Sequence, residues 1–215
     1  MDLVDQIGLL DDLLLTSVTT EFPDALTEVE KASVSAYLVL GHACIEEYLE
    51  DAFVTHFAML INWLVSPVVP RATAALLSAI GMQIDGDKVA FKDRHLNHAV
   101  GLGRVRYDAI VKANHGIKSA NLKKLVAGVG HEWTLFEQRF NAELADLDTL
   151  GSKRGEAGHL SPFSGKAVVL TPKVYPDDVR VWMSNGRDAA LAIRLHLQRR
   201  VQDQIGGGLA TLGLE

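Results

Sequence analysis

Cysteine is nearly absent from these 215 residues: Cys44 is the one copy, so no disulfide can close within the chain. It lies in an apolar helical stretch, where a small core side chain is expected. Basic excess is also lacking. The formal net charge is −6, which excludes a generic nucleic-acid coat protein and makes any contact with nucleic acid a local one. The start, Met1-Asp-Leu-Val-Asp5, carries no basic leader, so the cytoplasm is the expected compartment. There is no set of alternating strands, no repeat of fixed period and no interior linker. No glycine-rich phosphate loop of Walker or Rossmann type is found, and no nucleophile elbow. Gly101-x-Gly103 lacks a preceding strand. His95 and His98 lie three apart, but no carboxylate or cysteine set completes a metal site. Neither a metal nor a cofactor is expected.

The run Ala52–Pro70 lacks Asp, Glu, Lys and Arg and approaches the length that spans a bilayer. Thr55, His56, Asn62, Ser66 and Pro67 interrupt it, and Glu46, Glu47, Glu50 and Asp51 crowd its start. A buried helix, or one at a subunit interface, is expected there rather than a membrane span.

What is present is a large apolar share, 48%, with an ordinary charged fraction of 22%. That composition suits one packed domain over residues 1–215, with 25–200 as its core and 205–215 as a flexible tail. The periodicity is helical almost throughout, so the fold class is all-α: a bundle of long core helices with short peripheral ones. Residues 3–15 form a short helix. Pro23 and Asp24 open a long one running to about Val65, with Leu26, Val29, Ser33, Tyr37, Leu40, Cys44 and Tyr48 as its stripe. A short helix over Ala72–Ile80 follows. Residues 88–100 and 102–113 make two more, broken at Gly101 and Gly103. Ser119 caps a helix that stops at Gly128. The second long helix runs from Glu132 to about Lys153, burying Trp133, Phe136, Phe140, Leu144, Leu147 and Leu150. Residues 160–175 are irregular, with a short strand at Val168–Leu170. Pro176 opens the last helix, which reaches about Gln204 with an interruption near Gly186. Gly206-Gly-Gly208 begins the tail.

One charged stretch departs from the acidic whole. Between Arg104 and Lys124 stand Arg104, Arg106, Lys112, Lys118, Lys123 and Lys124, against Asp108 alone. An ordinary solvated helix face is one reading; a local RNA-guiding surface is the other. The residues best suited to chemistry come later, in Leu150-Gly-Ser-Lys-Arg154-Gly-Glu-Ala-Gly-His159. An arginine offers phosphate oxygens a forked set of donors, and a histidine exchanges a proton near neutral pH. Together, with no metal motif nearby, they suit phosphodiester chemistry. On a regular helix residues five apart point about 140° from each other. Gly151, Gly155 and Gly158 relax that constraint, so the pair is expected at a frayed helix end. A salt bridge and a helix cap are the structural alternative for the two. His42, Glu46 and Glu50 stack at four-residue steps on the first long helix, where Glu46 can equally be a solvated carboxylate.

Arg154-x4-His159 resembles the R-x4–6-H signature of HEPN domains. Asn114-His-Gly-Ile-Lys-Ser-Ala-Asn-Leu-Lys-Lys-Leu125 resembles a stretch of the RiboL-PSP and MAE-type HEPN branch, and Ala36–Phe53 looks like that branch's first long helix. The resemblance covers roughly residues 25–200 and implies a HEPN-like bundle. It also implies a metal-independent endoribonuclease working as a homodimer, with two copies of the motif facing each other. His159 would move protons at the ribose 2′-hydroxyl or the leaving 5′-oxygen. Arg154 would hold the scissile phosphate, and Glu46 would lie near Arg154. Lys118, Lys123, Lys124, Asn114 and His115 would contact RNA, although Asn114 and His115 can simply build the turn before Ser119. Proteins of this kind act as toxins or in abortive infection and anti-phage defence, restrained by an antitoxin or similar partner. The uncharged helix from Ala52 would supply part of the dimer face. Gly155 departs from the family, which usually has a polar residue after the arginine; Glu156 follows, able to orient His159 or Arg154. The alternative implied is a non-catalytic HEPN module that binds a partner protein, a nucleotide or RNA. A helix-turn-helix DNA binder using Asn121–Val126 is a weaker third reading.

Overall fold

Thr27 and Glu30 set where the longest helix begins. The Thr27 N–H donates to Glu30 Oε2 (2.8 Å) and the Glu30 N–H donates to Thr27 Oγ1 (3.3 Å), a reciprocal capping box. The helix therefore starts at Glu28; Pro23 and Asp24 lie outside the described residues. This computed structural model describes residues 2–18, 26–64, 93–158 and 175–211, and for 63–64, 93–100, 102, 158 and 200–211 the backbone alone. Among the described residues there are seven helices and no strand. They are α1 (Leu3–Leu14), α2 (Glu28–Leu64), α3 (Asp93–Lys112), α4 (Ser119–Gly128), α5 (Trp133–Arg139), α6 (Asn141–Gly158) and α7 (Pro176–Thr211). The fold is all-α. The expected helix at 72–80 and strand at 168–170 lie outside the described residues.

The chain gathers into two compact units, each built from three separate stretches. One comprises residues 1–49, 116–119 and 141–192. Its core includes Ile7, Tyr37, Ile45, Ile117, Leu147, Leu150 and Met183. Within it Arg180 Nε donates to Asp11 Oδ1 (2.8 Å), tying α7 to α1. The other comprises 50–115, 120–140 and 193–215. Aromatic rings dominate its core: Phe57 stacks on Tyr107 with centroids 4.4 Å apart, and Phe136 lies 4.8 Å from Phe140.

Several elements differ from the expectation. α3 runs unbroken through Gly101 and Gly103, because an isolated helical glycine costs only about 1 kcal/mol and does not by itself end a helix. The segment from 132 is two helices, not one. Phe140 leaves the helical region (φ −114°, ψ 28°), and its N–H closes α5 on the Phe136 carbonyl. The apolar stripe survives this break, with Phe136, Phe140, Leu144, Leu147 and Leu150 all buried. α7 is not interrupted at Gly186; a Cβ there would lie 2.6 Å from Leu150 Cδ2, so the glycine serves close helix packing. The α7 backbone stays helical past Gln204 to Thr211, through the glycine run.

The stripe expected along α2 is buried only in part: Leu26 and Tyr37 are in the core, and Ser33, Cys44 and Tyr48 are half-buried. Val29 and Leu40 are exposed, while Val34, Leu38, Ile45 and Leu49 are buried. In the second unit Ala52, Phe53, His56, Phe57, Leu60 and Ile61 are buried as well. These buried side chains bear out the expectation of a buried helix rather than a membrane span over this stretch. No helix among the described residues is long and apolar enough to cross a membrane.

Candidate functional site

One row of α6 organises the site. Asp148, Gly151 and Arg154 follow each other at three-residue steps, neighbours on a helix surface. Asp148 accepts two hydrogen bonds from Ser119, from its N–H to Oδ1 (2.7 Å) and from its Oγ to Oδ2 (2.7 Å). The first free N–H of α4 is thus satisfied by a carboxylate from another helix, which also favours the positive helix terminus. Ser119 does not cap its own helix, as the sequence suggests; it is the donor. One step on, Gly151 accommodates Lys118. A Cβ at position 151 would lie 2.8 Å from Lys118 Cγ and 3.2 Å from its Cε. Ile117 beside it is fully buried. The turn before α4 is therefore fastened to α6 by a carboxylate, a packed apolar side chain and a glycine.

One step further, Arg154 stands exposed, and it makes no ion pair among the described residues. Its charge reaches His42, which comes from α2 and is 3% exposed. Burial first, then the cations Arg154 and Lys118, push the His42 imidazole down to about 4. His42 is therefore neutral at physiological pH. Its Nδ1 lies 3.6 Å from Glu46 Oε2, one turn along α2. The three stretches singled out in the sequence thus each send a side chain to one neighbourhood: His42, Lys118 and Arg154.

The remaining candidates are placed as follows. Glu46 is half-buried on the His42 side of its helix. Glu156 pairs with Lys153 (3.0 Å), whose ammonium also sits over the Trp182 ring, 5.3 Å from its centroid. Among the described residues nothing stands within 4 Å of a Cβ at Gly155, and α6 continues past it to Gly158 without a break. His159 lies outside the described residues. In the second unit Asn114 is buried and donates from Nδ2 to Glu50 Oε1 (2.8 Å), a structural tie across the turn. His115, Lys123 and Lys124 are exposed.

Sequence reasoning missed Asp148, the packing role of Gly151 and the burial of His42. It also missed a histidine pair in the second unit: His56 Nε2 and His131 Nε2 are 2.8 Å apart. Gly130, at φ 75°, ends α4 with the His131 N–H bonded to the Val126 carbonyl, and that turn delivers His131. A glycine two residues past a helix ahead of a histidine was the available signal. Among the described residues no group of three or more side chains suits a metal ion. No protein-family model, no curated protein and no solved structure matches the chain.

Proposed function

We propose that the protein is a HEPN-type endoribonuclease, working without a metal as a homodimer in the cytoplasm, as a toxin or anti-phage effector restrained by a partner protein. One observation carries the reading: Arg154 is an exposed guanidinium, without an ion pair among the described residues, at the end of the α6 row that also seats Lys118. A guanidinium in that state is available for the phosphate of a ligand. In the proposed reaction a base takes the proton of the ribose 2′-hydroxyl and the 2′-oxygen attacks phosphorus. The bond to the 5′-oxygen breaks, and an acid protonates that oxygen. The products are a 2′,3′-cyclic phosphate and a free 5′-hydroxyl. His159, and its copy in the second subunit, fill the acid and base roles. Arg154 stabilises the charge that grows on the phosphoryl oxygens. Buried, neutral His42 is a supporting group, since an imidazole pushed down to about 4 is a weak base at neutral pH.

Labelled RNA incubated with purified protein in chelator tests this, with Arg154→Ala and His159→Ala beside the wild type. Cutting by the wild type that both substitutions abolish, with cyclic-phosphate ends, is the expected outcome. Equal cutting by all three proteins would be contamination and would refute the enzyme. The second reading is a HEPN module that binds RNA, a nucleotide or a partner without cutting. Two facts favour it: position 155, after Arg154, is a glycine with no polar group to offer, and Glu156 is engaged by Lys153. RNA binding without any cleavage is its signature.

A further inference from the structure

We propose that Lys118 is the second cationic ligand of the phosphate that Arg154 binds, so that one RNA phosphate is clamped between an ammonium and a guanidinium. The inference rests on the RNA reading above and adds to it a named residue held by named contacts. Three observations carry it. Lys118 and Arg154 are served by consecutive positions of one helix row, Gly151 seating the Lys118 stem and Arg154 following three residues later. The backbone beneath Lys118 is pinned by the two hydrogen bonds from Ser119 to Asp148, both 2.7 Å. Neither cation has an ion pair among the described residues.

Two like charges served by neighbouring steps of one helix row repel each other, and an anion bound by both relieves that repulsion. Both charges, after burial, also oppose protonation of His42. Glu46 Oε2 lies 3.6 Å from His42 Nδ1. Lys123 and Lys124 have the same charge but no such seat: they are exposed on α4 in the second unit. Charge count alone ranks the three lysines together; the packing singles out Lys118.

A fluorescein-labelled 2′-O-methyl RNA oligonucleotide is the probe. Its blocked 2′-oxygen prevents cleavage, so anisotropy reads binding whether or not the protein is an enzyme. Lys118→Gln and Arg154→Gln should each weaken binding about tenfold, the scale of a hydrogen bond between charged groups. Each should also make the salt dependence shallower by about 0.7 in log–log slope. Lys118→Arg should restore most of the loss. Lys123→Gln should change binding less than threefold, and the melting temperatures should show that every variant is folded. Wild-type binding to the Lys118→Gln protein, with weakened binding by Arg154→Gln, overturns the clamp and leaves the nuclease reading standing. Failure of the wild type to bind the probe overturns the clamp too. Intact binding with no cleavage of ordinary RNA leaves the clamp in place and removes the nuclease.

Discussion

Acid should unfold this protein partly through His42. The imidazole is 3% exposed, and burial with the Arg154 and Lys118 charges lowers its pKa from 6.5 to about 4. The folded value lies below the unfolded one, so the unfolded chain takes up the proton first as pH falls. The stability tied to neutral His42 is complete above the unfolded value, shrinks as pH drops towards about 4, and falls no further below that. At about 1.4 kcal/mol per pKa unit the whole effect is about 3 kcal/mol, of which about 2 kcal/mol is lost between pH 7 and pH 5. Urea denaturation at the two pH values measures the wild-type loss. His42→Gln cannot take up that proton, so it should lose about 2 kcal/mol less over the same interval, even though it starts from a lower stability. Carboxylates that titrate in this range are common to both proteins and cancel in the difference.

The same group reports on its neighbours. NMR of the ring should show His42 staying neutral well below the pH at which an exposed histidine titrates. Arg154→Gln or Lys118→Gln should raise its pKa, because each removes a cation that opposes protonation. Parallel loss of stability in wild type and His42→Gln, or an imidazole titrating near the ordinary value in the wild type, would refute both the burial and the placement of the two cations.

Asp148→Ala leaves Ser119 and the start of α4 without their acceptor and should cost about 2 kcal/mol in urea denaturation; Asp148→Asn, which keeps one accepting oxygen, should cost less. It should also weaken probe binding, since the backbone under Lys118 is freed. Gly186→Val should destabilise by about 2 kcal/mol despite removing a helical glycine, because its side chain meets Leu150 and Ile45 in a filled core; a melting temperature equal to wild type would refute the packing at that point.

The all-α class was legible because the apolar positions recur at helical steps nearly everywhere. The face of α2 was not. Residues 36–45 are apolar on several sides, so periodicity alone cannot tell that Val29 and Leu40 are exposed while Tyr37, on their row, is buried together with Val34, Leu38 and Ile45. The start of α2 is encoded by Thr27-x-x-Glu30, a less conspicuous signal than Pro23. The break at Phe140 has no local breaker residue. It arises from packing, where Phe140 turns its ring against Phe136 and His196. At the candidate site, Arg154 could be found from its glycine-rich setting. His42 could not be separated from Glu46 and Glu50 on the same helix face, because only the fold decides which of them is buried.

Two of the glycines around Arg154, Gly151 and Gly155, do different things. Each weakens a helix by about 1 kcal/mol relative to alanine, so α6 is costly to form at its end. At Gly151 the cost is offset by the approach of Lys118, which any larger residue would block. At Gly155 nothing stands within 4 Å of a would-be Cβ, so packing within the described residues gives no reason for glycine there. Position 155 is also where the resembled nucleases carry a polar group. The two readings of the protein therefore meet at one position. A site that cuts must manage without that polar group, by Arg154, Lys118 and the histidine that follows. A site that only binds needs no such group, and glycine at 155 leaves it intact.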